Sequence, residues 1–294
     1  MTIAHEFEYV RPSTLEDAVD ALSQPGARVL AGATDVVPWL HDDLIEPDLL
    51  VDVKALPGLD DISLDGSRIT IGALVTFTDL IESPVIAEHT PMLAEMANQV
   101  ASVGVRNRAT VVGNLCSAVP SLDAGPALMV YDAHVEVVGP DGDRVMPLDQ
   151  WFVGPRTTGL RAGEVCTGIA LSLPLVDHAG AFLKLARYSG EDLAQANLGL
   201  VVTADRDYRV AFGAVAPAPV RARRLEAHLA GRDLDDSLVE EVSRLVTDEI
   251  APITDMRATA DYRSHMCRVM LRRGLRAASD RLAGIGPPYG THLI

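Results

Sequence analysis

Residues 105–128 read VRNRATVVGNLCSAVPSLDAGPAL, the densest run of small residues in the chain, with few charges after Arg108. Within it, Thr110, Val111, Val112, Gly113 and Asn114 set a hydroxyl, two β-branched residues, a glycine and an amide in a row. Asn114 can both donate and accept, which suits a ligand with mixed polar edges. A second stretch has the same design. A short apolar strand, Arg28–Leu30, runs into Ala31-Gly32-Ala33-Thr34-Asp35, and another apolar segment begins at Val36-Val37. Small side chains leave consecutive backbone N–H groups unshielded, and concave rows of such amides bind anionic oxygens. Thr34 adds a hydroxyl donor, and a helix start after the loop adds a favourable dipole. Each loop alone has an ordinary reading: a strand–Gly–helix turn used for packing, and a glycine at a bulge in a strand.

Working outward, Ser13 with Glu16 three residues later forms a capping box for a helix carrying Leu15, Ala18, Val19 and Leu22, stopped by Pro25-Gly26. Leu49–Val53 and Arg68–Ile71 read as strands, with Gly66 as the turn before the second. Thr76 or Thr78 caps a short helix through Leu80 and Ile81, and Pro91–Val100 reads as a helix. Asp123 precedes a helix from Ala124 to about Tyr131. His134–Val138 and Val145–Met146 make a hairpin around Asp141-Gly142-Asp143. Gly163–Leu173, Ala181–Ala186, Leu198–Thr203 and Arg209–Val215 read as further strands. Helices are expected over Pro219–Leu229, Leu234–Ile250 and Arg257–Leu282, then an extended tail over 286–294. Strands dominate the first two thirds and helices the last quarter. That order predicts an α+β fold rather than a wound parallel sheet.

Composition narrows the function. The 294 residues carry a net charge of −16, which argues against binding nucleic acid through its phosphates. Seven arginines between Arg257 and Arg281 are the local exception; they read either as a docking face or as a solvated helix face. Cys116, Cys166 and Cys267 are far apart in sequence and supply neither a disulfide framework nor a zinc or iron–sulfur ligand set. No HExxH, GxSxG, GxxxxGK[ST] or GxGxxG pattern occurs. No long apolar run suggests a secretory signal or a membrane span, so a cytoplasmic location is expected.

At these residues the chain resembles the FAD-binding medium subunit of bacterial molybdenum hydroxylases, the group containing aerobic carbon monoxide dehydrogenase, and the flavin domain of xanthine dehydrogenase. The family's AGG loop appears as Leu30–Asp35 and its VRNRGTIGGN pattern as Val105–Asn114, continuing into Ala118–Asp123. Phe152–Thr158, Gly163-Glu164, Lys184–Arg187 and Gly213–Pro217 follow at matching places, so the resemblance spans about residues 5–282.

The resemblance implies a PCMH-type FAD-binding fold of two α/β subdomains over residues 1–175, split near 57–60. A C-terminal sheet-plus-helices domain follows over 180–285. It implies that Val29, Leu30, Ala31, Gly32, Ala33, Thr34, Asp35 and Val36 wrap the FAD pyrophosphate. Thr110 to Asn114 form the second wall, towards the ribityl and flavin part. Asp123, Lys184, Ala101, Val100 and Cys166 match further cofactor positions, the last two beside the adenine. Tyr188 and Asp192 are candidates to lie near the flavin ring, or a surface loop. No catalytic residue and no metal ligand is expected here. The implied partners are a large molybdopterin subunit and a small [2Fe–2S] subunit, in a dimer of heterotrimers, with electrons leaving through FAD to an external acceptor.

Two departures stand out. Ala33 and Val112 occupy positions where the family has glycine, and a valine is expected to disfavour a left-handed turn at 112. They keep open an assembly subunit with a decayed cofactor site. A self-sufficient flavin oxidoreductase is the other alternative, and it would need its own catalytic pair.

Overall fold

Leu49–Asp52 is buried at all four positions, the pattern of a strand covered on both faces. It is the middle strand of a parallel sheet, flanked by Glu8–Val10 and Ala27–Leu30. The computed structural model describes residues 3–188 and 190–294. Pairing of Leu30 with Asp52 ends this sheet and releases the chain into the Ala31–Asp35 loop.

Residues 53–61 lead to a five-stranded antiparallel sheet, ordered Ile62–Asp65, Arg68–Gly72, Val165–Ser172, His134–Gly139 and Gly142–Pro147. Gly66, at φ +58°, supplies the turn of its first hairpin. The strand Ile62–Asp65 escapes the sequence reading because three of its four residues are exposed.

The expectation that strands dominate the first two thirds needs correction. Six helices of four to eight residues occupy the stretch from Phe77 to Met129. Three of them are the helices read at Thr76, Pro91 and Asp123; Pro84–His89, Val103–Arg106 and Val111–Ser117 are too short to show a hydrophobic period. The first cap also shifts by one residue: Thr14, not Ser13, accepts from Asp17 N at 3.1 Å. Thr76, the first of the two candidates, caps Phe77–Glu82 and forms a full box with Asp79.

The third sheet is antiparallel, in the order His178–Leu185, Ala196–Thr203, Tyr208–Gly213 and Val220–Arg221. The helix Ala260–Leu282 lies across its first two strands. Gly274 makes that approach possible, since a Cβ there would come within 3.1 Å of Leu200 and 3.2 Å of Leu183. Two apolar cores result, one around the first two sheets and one between the third sheet and its helices.

The arginines of the last helix are largely engaged within the chain. Arg272 pairs with Glu240 and Arg276 with Asp236, each at 2.8 Å, and Arg273 donates to Leu293 O. Arg263 is buried against Asp255 and the carbonyls of Gln195 and Ala214.

Arg281 reaches furthest. It donates to both oxygens of Glu95, at 2.8 and 3.1 Å, and its guanidinium sits 4.0 Å from the Tyr289 ring centroid. Glu95, only 3% exposed, also accepts from Phe182 N and Gly290 N. One carboxylate therefore joins a helix of the first core, a strand of the third sheet, the last helix and the tail. Glu95→Ala leaves the Arg281 guanidinium buried without a counter-charge and should cost about 3–5 kcal/mol in denaturant unfolding. Combining Glu95→Leu with Arg281→Met should recover most of that loss.

Candidate functional site

The Ala31–Asp35 loop leaves the parallel sheet at one wall of a cavity of about 560 Å³. That volume suits a large organic ligand. The carbonyl of Ala31 is held by Lys54 Nζ at 3.2 Å. Gly32 is fixed by contact rather than by a turn: a Cβ there would lie 1.9 Å from the Arg108 carbonyl oxygen. The two loops of interest therefore touch, backbone against backbone. Ala33 follows at φ +68°, a left-handed conformation that costs a non-glycine residue roughly 1 kcal/mol. Among the described residues no acceptor takes the amides of Ala33, Thr34 or Asp35. Buried or half-buried N–H groups seldom stay unpaired, so this row is open to a bound anionic group.

The opposite wall is the helix Val111–Ser117, and Thr110 is its N-cap. The Thr110 hydroxyl accepts from Gly113 N at 2.9 Å, and a Cβ at Gly113 would sit 2.6 Å from that oxygen. Glycine at 113 thus serves the cap, and the reading of a bulge in a strand is corrected. Val112 is helical and buried, so the expected strain at that position does not arise. Asn114 Oδ1 accepts from Ala124 N at 3.2 Å, which orients the next helix. Ser117 Oγ donates to Asp35, closing the far end of the wall onto the first loop. Arg106 shapes a third side by donating to the carbonyls of Val100 and Ala101, both at 2.8 Å.

Asp123 and Lys184 meet at 2.6 Å beside the cavity. Burial pushes the Asp123 carboxyl up, and Lys184 and Asn197 counter it. Both Asp123 oxygens are therefore occupied by protein donors, while Lys184 also donates to Gln99 O.

Of the sequence-predicted site residues, all but Leu30 and Val111 line this one cavity. Leu30 ends its strand, and Val111 is fully buried with its amide donating to Val75 O. Asp192 lines the cavity and accepts from Arg187 N at 2.6 Å, whereas Tyr188 lies outside the lining and is 59% exposed. Sequence reasoning misses Trp39, Cys116 and Arg156. Arg156 stands 5.3 Å from the Trp39 ring centroid. Its signal was the tight Gly154-Pro155-Arg156 turn, where Arg156 adopts φ +56°. Glu164, also in the lining, forms a two-pronged pair with Arg144, both contacts at 2.6 Å. The cysteines, far apart in sequence, are not all apart in space: Cys116 and Cys166 are 3.6 Å apart at sulfur. No cluster of metal-ligating side chains occurs among the described residues, and no helix among them is long and apolar enough to cross a membrane.

Comparison with known proteins places this arrangement. Residues 5–174 match the family described as FAD binding domain in molybdopterin dehydrogenase, and residues 181–278 match CO dehydrogenase flavoprotein C-terminal domain. The chain is 32% identical over 287 residues to the carbon monoxide dehydrogenase medium chain of Hydrogenophaga pseudoflava, covering 96% of this chain and 100% of that one. It is 32% identical over 284 residues to the xanthine dehydrogenase FAD-binding subunit of Escherichia coli O157:H7, covering 94% and 97%. A solved structure of the Hydrogenophaga pseudoflava carbon monoxide dehydrogenase superposes with a TM-score of 0.91 at 32% identity, over 96% of this chain and 99% of that one.

Adjacent substitutions should act in opposite directions. Gly32→Ala forces the two loops apart and should cost about 1–3 kcal/mol, whereas Ala33→Gly relieves the left-handed strain and should raise stability by about 1 kcal/mol. Thermal unfolding of the two variants checks this. The Arg144 guanidinium holds the Glu164 carboxyl below its ordinary 4.5. The pair's contribution is therefore complete above about pH 4.5 and fades as pH falls through the lowered value. Glu164→Gln should lower the melting temperature at neutral pH, by an amount that shrinks as the pH falls below about 4.5.

Proposed function

The chain belongs to the FAD-binding subunits of the molybdopterin dehydrogenases, and from that membership we propose that its cavity holds FAD as the electron outlet of a multi-subunit oxidoreductase. The observation that carries this is the acceptor-free amide row of Ala33–Asp35, closed against the helix Val111–Ser117 over a cavity of about 560 Å³. That row suits the pyrophosphate. The apolar side chains of Val100, Val112 and Leu160 suit the ring systems.

Bound there, FAD would supply the electron-relay chemistry between one-electron and two-electron partners. The residues of this chain bind and orient. Val29, Ala31–Val36, Thr110 and Val112–Asn114 form the two walls, Val100, Ala101 and Cys166 a third side, and Lys184 brings a buried positive charge. Asp123 holds Lys184 and the start of its own helix in position. No side chain of the chain is assigned a proton transfer, because substrate oxidation belongs to a large molybdopterin subunit. A small subunit with [2Fe–2S] clusters connects the two, and the assembly is a dimer of heterotrimers in the cytoplasm. The division into units 1–175 and 180–285 is part of this proposal. The helical backbone at Val112 is one that valine adopts without strain, which supports a working site over a decayed one.

The purified chain or its complex should be yellow with a flavin spectrum. Asn114→Ala removes the acceptor of Ala124 N and should weaken FAD binding about tenfold while circular dichroism stays unchanged. Colourless protein that cannot be reconstituted with FAD would defeat the assignment.

A further inference from the structure

Two of the three cysteines stand together in the cavity wall. Cys116 lies in the last turn of the helix Val111–Ser117, and Cys166 in the strand Val165–Ser172. Fifty residues apart in sequence, their sulfurs approach to 3.6 Å, with the Cys116 thiol donating. A disulfide needs about 2.05 Å, so closure by roughly 1.5 Å suffices. The strand is irregular at this point: pairing with His134–Gly139 shifts register between Cys166 and Gly168, which leaves the ladder locally interrupted. Both residues line the cavity, so a small solute can reach them. Cys267, by contrast, is sealed in the second core, and burial pushes its thiol up to about 12.

We propose that Cys116 and Cys166 form a reversible disulfide in the wall of the cofactor cavity, and that this bond weakens the hold on FAD. The second clause rests on the reading of the cavity as an FAD site. The oxidant is a peroxide. The Cys116 thiolate attacks one oxygen of hydrogen peroxide, the O–O bond breaks, and the departing hydroxide leaves as water once protonated. The Cys166 sulfur then attacks the resulting sulfenic sulfur and the S–O bond breaks. The second hydroxide leaves as water with the Cys166 proton. Two thiols and one peroxide give one disulfide and two waters; two electrons pass from sulfur to oxygen, and a dithiol reverses the change.

Cys116 acts first because it is only half-buried. Once Cys116 ionises, the Cys166 S–H becomes the donor of their shared hydrogen bond, and that bond, with burial, pushes the Cys166 thiol well up and keeps it protonated until the sulfenic acid forms beside it. The helix that carries Cys116 begins with Thr110–Asn114 and ends at Ser117, which is tied to Asp35. Drawing Cys116 onto the strand therefore displaces both walls.

The full chain is treated with hydrogen peroxide, denatured in a maleimide and weighed intact. The reduced chain should take three labels, one per cysteine; the oxidised chain should take one, on Cys267, with a loss of about 2 Da in its unlabelled mass. Oxidised protein should bind FAD at least about tenfold more weakly, and dithiothreitol should restore it. In Cys166→Ser, peroxide should leave a sulfenic acid on Cys116 that dimedone traps. Three labels after oxidation, or oxygen additions that dithiothreitol does not reverse, would overturn the disulfide. A disulfide with unchanged FAD affinity would overturn the coupling. A reduced chain that takes up no FAD overturns the site reading and the coupling with it, while the label count still decides the disulfide.

Discussion

Asp123 and Lys184 carry opposite charges into a region where neither side chain is more than one tenth exposed. Taking two ions out of water is expensive, and their attraction returns that cost only when the geometry is good and the remaining hydrogen-bonding positions are filled. Here they are filled: Asn197 donates to the second Asp123 oxygen, and Lys184 also donates to the Gln99 carbonyl. Lys184 and Asn197 face each other in register on adjacent strands of the third sheet, while Asp123 begins the helix Ala124–Met129. The pair can therefore form only when that sheet docks on that helix. Glycine permits the docking, since a Cβ at Gly199 would lie 2.6 Å from the Pro126 carbonyl. A buried ion pair adds little net stability, but it penalises every other docking position by leaving a charge unmatched. The cavity takes its floor from this junction.

Much of the site is legible in the sequence, though the reasons differ from those the residues first suggest. Small residues at 31–35 and 110–114 mark the two walls, and the walls face one cavity. The glycines, however, serve protein contacts. Gly32 makes room for the Arg108 carbonyl, and Gly113 for the Thr110 hydroxyl. The positive φ falls on Ala33, where a methyl is tolerated, and the helical Val112 needs no glycine at all. Reading each loop as an unbroken run includes Leu30 and Val111, yet backbone geometry turns successive side chains to different sides. Those two therefore miss the cavity.

Other features have no local signal. The short helices Pro84–His89, Val103–Arg106 and Val111–Ser117 are stabilised by packing rather than by a period of their own. The meeting of Cys116 with Cys166 depends on how a helix docks on a distant strand, and that of Arg144 with Glu164 on how distant strands align in one sheet. The arginines of the last helix read as an unpaired basic row only while Glu240, Asp236 and Glu95 are out of sight.

Glu95 also imposes an order on how the chain is made. Its partners Arg281 and Gly290 follow it by 186 and 195 residues. At ribosomal rates of about 5–20 residues per second, that gap lasts roughly 10 to 40 s. Throughout that interval the nascent first core holds an acid prepared for burial with no cation to meet it. The last helix and tail thus act as the clasp of the whole molecule. A chain stalled before residue 281 keeps an open, charged seam for chaperones and proteases to find, and one that reaches its last residues closes it.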